Sequence, residues 1–314
     1  MMSKYRNGLP QLTGDLFLSD GGIETTLIFH NGLDLPLFAA FPLLQHDDGV
    51  AALRTYFATY VNLARQYNTG FILESATWRA SADWGQKLGY SAADLADLNQ
   101  KAITLLEEVR AHYETAQTPM VISGCIGPRG DGYNPTLQMT ADEATAFHLS
   151  QAQTFSHTAA DMISAITMNY PEEAIGVTRA AQAAEMPVVI SFTVETDGRL
   201  PTGHTLAEAI TQVDEATNGG PLYYMINCAH PTHFADKLDG AAGWSQRIRG
   251  LRANASTKSH AELDEATELD AGNPVELGQQ YRTLRQHLPN LNVLGGCCGT
   301  DHRHIEEICK SWLR

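Results

Sequence analysis

The chain has 314 residues, 43% of them hydrophobic and 18% charged, and a formal net charge of −15. That size supports one large core, and the acidic balance argues against a nucleic-acid partner, because phosphate binding needs clustered Lys and Arg. It is compatible with a cationic substrate.

The N-terminus, Met1-Met2-Ser3-Lys4-Tyr5-Arg6-Asn7-Gly8, lacks the apolar run of a signal peptide. No stretch approaches the roughly 20 apolar residues of a membrane span, so a cytoplasmic protein with no membrane contact is expected. Five cysteines are too few for a disulfide scaffold and odd in number, which points to thiol or metal chemistry in a reducing compartment.

Short apolar runs alternate with amphipathic ones along the whole chain. Leu16–Ser19 reads as a first strand that stops at Asp20-Gly21-Gly22, and Val50–Tyr67 has helical spacing. Phe71–Leu73 is the second strand and Ala92–Tyr113 its helix, with Ser91 as N-cap. Met120–Ile122 runs into the turn Gly124-Cys125-Ile126-Gly127-Pro128, and a helix over Ala141–Ala160 follows. Strands at Met162–Thr167 and Val188–Val194 are each followed by a helix, Pro171–Glu185 and Leu206–Thr217. Tyr223–Asn227 is the sixth strand, with a less regular region at Phe234–Ala242. Ile248–Ala253, the helix Val275–Leu288, Leu291–Leu294 and a helix over His302–Trp312 complete the chain.

Eight strand–helix units without a dividing linker predict a single-domain (β/α)8 TIM barrel. An open doubly wound sheet would carry a glycine fingerprint after its first strand, and Asp20-Gly21-Gly22-Ile23-Glu24 does not match one. The acidic segment Glu262–Asp270 reads as a solvated face, with a lid or subunit contact as the alternative. A homo-oligomer is left open.

Three cysteines end predicted strands: Cys228 after the sixth, Cys297 and Cys298 after the eighth. In a barrel both positions open onto the C-terminal face, where active sites are built. Three thiolates are a soft donor set suited to Zn2+, with a fourth position left for substrate. The competing readings are two buried small residues or a vicinal disulfide, and neither accounts for Cys228. Cys309 reads as core, and Cys125 as a small packing residue that could line the pocket. His230 and His233 read as loop or supporting groups, and His302 and His304 as solvent-facing.

Together, Asp20-Gly21-Gly22-Ile23-Glu24-Thr25-Thr26-Leu27, Thr77-Trp78-Arg79-Ala80-Ser81, Gly124-Cys125-Ile126-Gly127-Pro128, Asn227-Cys228 and Gly295-Gly296-Cys297-Cys298-Gly299-Thr300 resemble the homocysteine S-methyltransferase family. The resemblance spans nearly the whole chain. It implies a zinc site on Cys228, Cys297 and Cys298, and two small-molecule partners, a thiol acceptor and a methyl donor. It also implies that Asp20, Gly21, Ser75 and Thr77 hold the amino-acid part of homocysteine, with Asn227 and Asn254 beside the metal loops.

The sequence departs from the family in three places. Ile166 stands where relatives carry a Glu that grips the substrate ammonium, so Glu74 or Glu24 is expected to replace it, with Glu74 preferred. Arg79 replaces a Gln or Tyr, which disfavours betaine and favours a carboxylate-bearing sulfonium donor. His230 replaces a small residue. A zinc hydrolase and a non-catalytic thiol sensor are the rival functions, and three thiolate ligands argue against the hydrolase.

Overall fold

The computed structural model describes residues 3–314; Met1 and Met2 of the N-terminal stretch read above lie outside the described residues. Eight parallel strands close into a barrel in sequence order: β1 Phe17–Leu18, β2 Gly70–Glu74, β3 Met120–Ile126, β4 Met162–Met168, β5 Val188–Phe192, β6 Tyr224–Asn227, β7 Ile248–Ala253 and β8 Val293–Gly296. Pairing of Phe17 with Val293 and Leu18 with Leu294 closes the ring. The TIM barrel expected from the alternating pattern is the architecture found.

Helices at Asp47–Tyr67, Ala92–Tyr113, Ala141–Ser156, Pro171–Ala183, Leu206–Thr217, Pro274–Leu284 and His302–Leu313 wrap the outside. Ser91 caps its helix as expected, its hydroxyl accepting from the Asp94 amide while Asp94 accepts from the Ser91 amide. Thr140 and Thr205 begin their helices in the same way. The third of these helices stops at Ser156, short of the Ala160 expected. The Arg6 guanidinium takes the carbonyls of Ser156, Thr158 and Ala160 and holds the chain in a turn there. The irregular region after β6 resolves into a short helix Pro231–Phe234 and a 3-10 turn Ala235–Lys237. Among the described residues no helix is long and apolar enough to cross a membrane.

Two apolar cores follow from the period of a strand. One set of strand side chains packs outward against the helices, with Phe71, Leu73, Ile122, Ile163, Ile190 and Leu251 among them. The alternate set fills the barrel, with Phe17, Ile72, Val121, Met162, Val189, Met225 and Val293, and is plugged from below by Leu9. One step further along the same inward-facing register come Ser19, Glu74, Ser123, Ser164, Ser191, Asn227 and Arg252, all buried. The interior therefore changes from apolar to polar towards the C-terminal mouth. A charged group buried there must find partners, and these residues find one another.

Candidate active site

Cys228 follows Asn227, whose side chain faces the barrel interior. In a continuing strand the next side chain would face outward. Cys228 instead adopts a left-handed conformation, φ 53°, which turns its sulfur back over the mouth. Cys297 keeps its strand contact, its amide donating to the Ala253 carbonyl at 2.8 Å, and Gly299 at φ 78° lets the chain fold back after Cys298. The three sulfurs lie within 4.8 Å of one another.

In this structure Cys228 and Cys297 are joined as a disulfide, their Cα atoms 5.3 Å apart, and Cys298 is free. A pairing of the sequence neighbours Cys297 and Cys298 is the alternative weighed from sequence. The pairing across strands replaces it because consecutive side chains diverge, whereas Cys228 and Cys297 face each other over the end of β7.

Each sulfur has a polar neighbour. Thr167 Oγ1 stands 3.9 Å from Cys228 Sγ, Asn227 Nδ2 4.0 Å from Cys297 Sγ, and Tyr133 Oη 4.0 Å from Cys298 Sγ. Once the Cys228–Cys297 bond is reduced, hydroxyl and amide hydrogens aimed at sulfur suit thiolates better than thiols. Burial, followed by the nearby Glu24, pushes the Cys298 thiol up to about 11. Without a cation it stays protonated at neutral pH. A soft divalent metal would supply the missing charge, and the donor set fits one.

Asn227 organises this rim without lining the cavity. Its Oδ1 accepts from the Thr167 amide at 3.0 Å and from Ser191 Oγ at 2.6 Å, and its Nδ2 donates to Thr167 Oγ1 at 2.8 Å. Thr167 sits at φ 67°, a strained conformation for a β-branched residue, at a register shift in β4. The two-point grip of Asn227 holds it there. The Cys228 carbonyl is fixed from outside by Asn254 Nδ2 at 3.0 Å and His260 Nε2 at 2.5 Å.

Below the sulfurs lies a cavity lined by Asp20, Gly21, Glu24, Glu74, Ser75, Cys125, Ile166, Thr167 and Arg252 with the three cysteines. Gly21 is needed for close approach, since a Cβ there would meet the Thr300 carbonyl and the Tyr60 hydroxyl at 2.8 Å. Asp20 accepts from Tyr56 Oη at 2.9 Å and pairs with Arg252 Nη2 at 2.7 Å. Burial works against the charge on Arg252, but Asp20 and Glu74 outweigh it and raise its pKa. Burial pushes Glu74 up to about 7, with Arg252 pulling the other way. Burial also raises Glu24 to about 7.

Thr77 is fully buried and absent from the lining. Its hydroxyl donates to the Cys125 carbonyl at 2.7 Å and meets Ser75 Oγ at 2.7 Å, so it acts on the wall of the cavity through Ser75. Arg252 is the group that reading the sequence missed. The signal was an Arg two residues after Gly250, in the inward register of a buried strand.

A second cavity adjoins the first at Cys298 and Tyr133. Arg79 lines it, its guanidinium stacked 3.7 Å from the Trp84 ring and 4.5 Å from that of Trp78. Asp131, Asp264, Glu268 and Asp270 line it too. The acidic segment is the solvated face its composition predicted, with Glu262, Asp264, Glu265 and Glu268 exposed, while Leu263, Ala266, Leu269 and Asp270 are half-buried where the loop after β7 borders the cavity. His304 departs from the expectation of a solvent-facing group. It is fully buried, with Nε2 against the Ala271 carbonyl at 2.7 Å, and so ties the last helix to that same loop. His230 caps the helix Pro231–Phe234, and Cys309 is buried in the outer core.

The sequence model of the homocysteine S-methyltransferase family matches residues 17–312. The chain belongs to the homocysteine S-methyltransferase family. It is accordingly an S-methyltransferase acting on small molecules. A relative within that family, homocysteine S-methyltransferase YbgG of Bacillus subtilis, is 23% identical over 318 residues, 96% of each chain. Methionine synthase of Mycobacterium tuberculosis is 30% identical over 144 residues, 42% of this chain and 10% of that protein. Among solved structures, the homocysteine methyltransferase MmuM of Escherichia coli matches with a TM-score of 0.76 in its oxidised form and 0.74 in its metallated form. Identity is 18% in both, over 97% of this chain and 99% of that one. At that identity the likeness speaks for the shared barrel.

Proposed function

We propose that this chain is a zinc-dependent methyltransferase that moves a methyl group from a small sulfonium donor, S-methylmethionine or a similar molecule, to the thiol of homocysteine, giving methionine. The observation that carries the zinc reading is the convergence of three cysteine sulfurs within 4.8 Å, each beside a hydrogen-bond donor. Zinc on Cys228, Cys297 and Cys298 would supply the positive charge that keeps the acceptor thiol deprotonated at neutral pH. The cytosol is the compartment that keeps such a triad reduced.

The chain's own residues do the rest. The lower cavity takes the acceptor's polar end, with Asp20 and Gly21 forming its floor, Glu24 and Ser75 on its walls, and Thr77 bracing Ser75. Tyr133 and the Thr167–Asn227 pair position the cysteines and keep water from them. The donor sits in the upper cavity, its methyl facing down past Cys298, so that the sulfur–methyl bond of the donor breaks as the acceptor's forms. Incubating reduced, zinc-loaded protein with homocysteine and S-methylmethionine is expected to yield methionine. If no methylated thiol forms with any sulfonium donor, the proposal is wrong.

The charges around the upper cavity favour a donor that is cationic at sulfur and anionic elsewhere. Asp131, Asp264, Glu268 and Asp270 attract a sulfonium, while Arg79, held against the Trp78 and Trp84 rings, receives a carboxylate. Arg79→Ala is expected to raise the donor KM about 10- to 100-fold, in line with the loss of one charge-assisted contact. The acceptor KM should not move. An unchanged donor KM would remove Arg79 from the donor subsite.

Glu74 is proposed to take over from the family Glu whose place Ile166 occupies. Its pKa near 7 gives this a pH signature. Below about pH 7 the carboxyl is neutral and its hold on an ammonium weakens, so the acceptor KM should climb as pH falls through that range. In Glu74→Gln the acceptor KM should be high and flat across the same pH range, and a wild-type profile in the variant would exclude the role.

A further inference from the structure

The sequence reading assigned the acceptor's ammonium but left its carboxylate without a cation, and the structure supplies one. Arg252 is 7% exposed and lies on β7, between the strand that Cys228 follows and the strand that Cys297 follows. Its inward position puts it in the lining of the cavity that the three cysteines share. The Cys228 amide donates to the Arg252 carbonyl at 3.1 Å, so the residue's backbone is part of the cysteine loop's support.

A guanidinium has five N–H bonds. Nε of Arg252 donates to the Gly296 carbonyl at 3.2 Å. Nη2 faces Asp20 Oδ1 at 2.7 Å and the Gly21 carbonyl at 3.4 Å. Nη1 makes no hydrogen bond. Its nearest carboxylate oxygen, Glu74 Oε2, is 3.8 Å away, too far to count as one. Glu74, also 7% exposed, has its other oxygen, Oε1, without a partner. Two buried and complementary charged groups thus each keep an unused hydrogen-bonding edge in the lining of the cavity that holds the cysteines.

Leaving charged, buried groups unsatisfied is costly, and native interiors avoid it unless a ligand completes the set. Arg252 is also clamped by Asp20 and two backbone carbonyls, so its free edge is held in one orientation. Such a donor is arranged to read a planar carboxylate.

We propose that Arg252 is the specificity residue for the acceptor's carboxylate, its Nη1 edge taking that group while Glu74 Oε1 takes the ammonium, so that the pocket reads the whole zwitterionic end of an α-amino-acid thiol. This deepens the methyltransferase reading and rests on it for the identity of the thiol end. It also accounts for the apolar Ile166 in the same wall: with the charges carried by β2 and β7, the wall from β4 faces the acceptor's methylene chain.

The test compares three thiols on zinc-loaded, reduced wild-type protein by calorimetry, with turnover measured separately. They are homocysteine, 3-aminopropane-1-thiol, which lacks the carboxylate, and 4-sulfanylbutanoate, which lacks the ammonium. Each analogue is expected to bind about 100-fold more weakly than homocysteine, since a site built around a polar group rejects a ligand without it. Arg252→Lys should keep the buried charge and the fold but reduce the preference for homocysteine over 3-aminopropane-1-thiol to under tenfold. Its preference over 4-sulfanylbutanoate should remain. If the wild-type protein binds 3-aminopropane-1-thiol within threefold of homocysteine, or if Arg252→Lys weakens all three thiols by the same factor, the assignment is overturned. Failure of every thiol to be methylated, with the binding preference intact, would count against the methyl-transfer reading and leave the role of Arg252 standing.

Discussion

Serine at Cys228, Cys297 or Cys298 is expected to take zinc content from near one per chain towards zero and to lower methyl transfer by on the order of a thousandfold or more. The reasoning starts from the donor set. Three sulfurs within 4.8 Å form a site with one position left for substrate, and removing one leaves two protein ligands for a metal that prefers four. A serine hydroxyl is a hard, weakly acidic replacement that does not restore thiolate softness.

Residues that only orient metal ligands typically cost about 10–100-fold when removed, so loss of a ligand itself should exceed that. Asn227→Ala supplies the internal comparison, because Asn227 touches Cys297 and Thr167 through hydrogen bonds alone. Cys309→Ser is the control: it sits in the outer core on the last helix and should change neither zinc nor rate. Metal analysis on protein purified anaerobically with a reductant, alongside methionine formation, reads all of these. Full zinc and full rate in Cys298→Ser would remove that residue from the site.

The largest expected loss of stability lies at the opposite end of the barrel. Asp161, fully buried just before β4, accepts from Arg110 Nη1 at 2.6 Å and from the amides of Ile122 at 2.9 Å, Lys4 at 2.9 Å and Tyr5 at 2.7 Å. It pins the N-terminal segment that plugs the barrel floor. Asp161→Ala removes the acceptor for a buried guanidinium and three amides at once. Breaking one partner of a buried ion pair costs about 3–5 kcal/mol because the survivor is left uncompensated. Thermal unfolding should move down by on the order of 10 °C. The kcat of the protein that remains folded should be unchanged, since the catalytic mouth lies at the other ends of the strands. A shift below about 2 °C would mean that water replaces the carboxylate easily.

The barrel was legible in the sequence because its cause is local. A strand with both faces buried reads as a short apolar run, and a covering helix reads as an amphipathic stretch, so eight alternations determine the class without any knowledge of distant contacts. The cysteines were legible for a similar reason: Cys228, Cys297 and Cys298 follow apolar runs directly, which places them at the mouth whatever the detailed pairing. Asp20-Gly21, Glu24, Glu74 and Ser75 come to the same cavity by the same logic of strand ends.

The tertiary structure decided which polar side chains act on the ligand pocket and which act on each other. Arg252 looks like a misplaced charge within a buried strand until Asp20 and Glu74, from the far end of the chain, stand beside it. Thr77 belongs to the same motif as the lining residues, yet its hydroxyl is used up on the Cys125 carbonyl. Composition marks the Glu262–Asp270 segment as solvent-facing, and most of its acids are exposed, but only the fold of the loop after β7 sets Asp264, Glu268 and Asp270 along the rim of the second cavity. In each case the side chain's partner is remote in sequence, and the cost of burying a polar group depends entirely on that partner. Residue type and spacing carry what a side chain can do; only the closed barrel specifies what it meets.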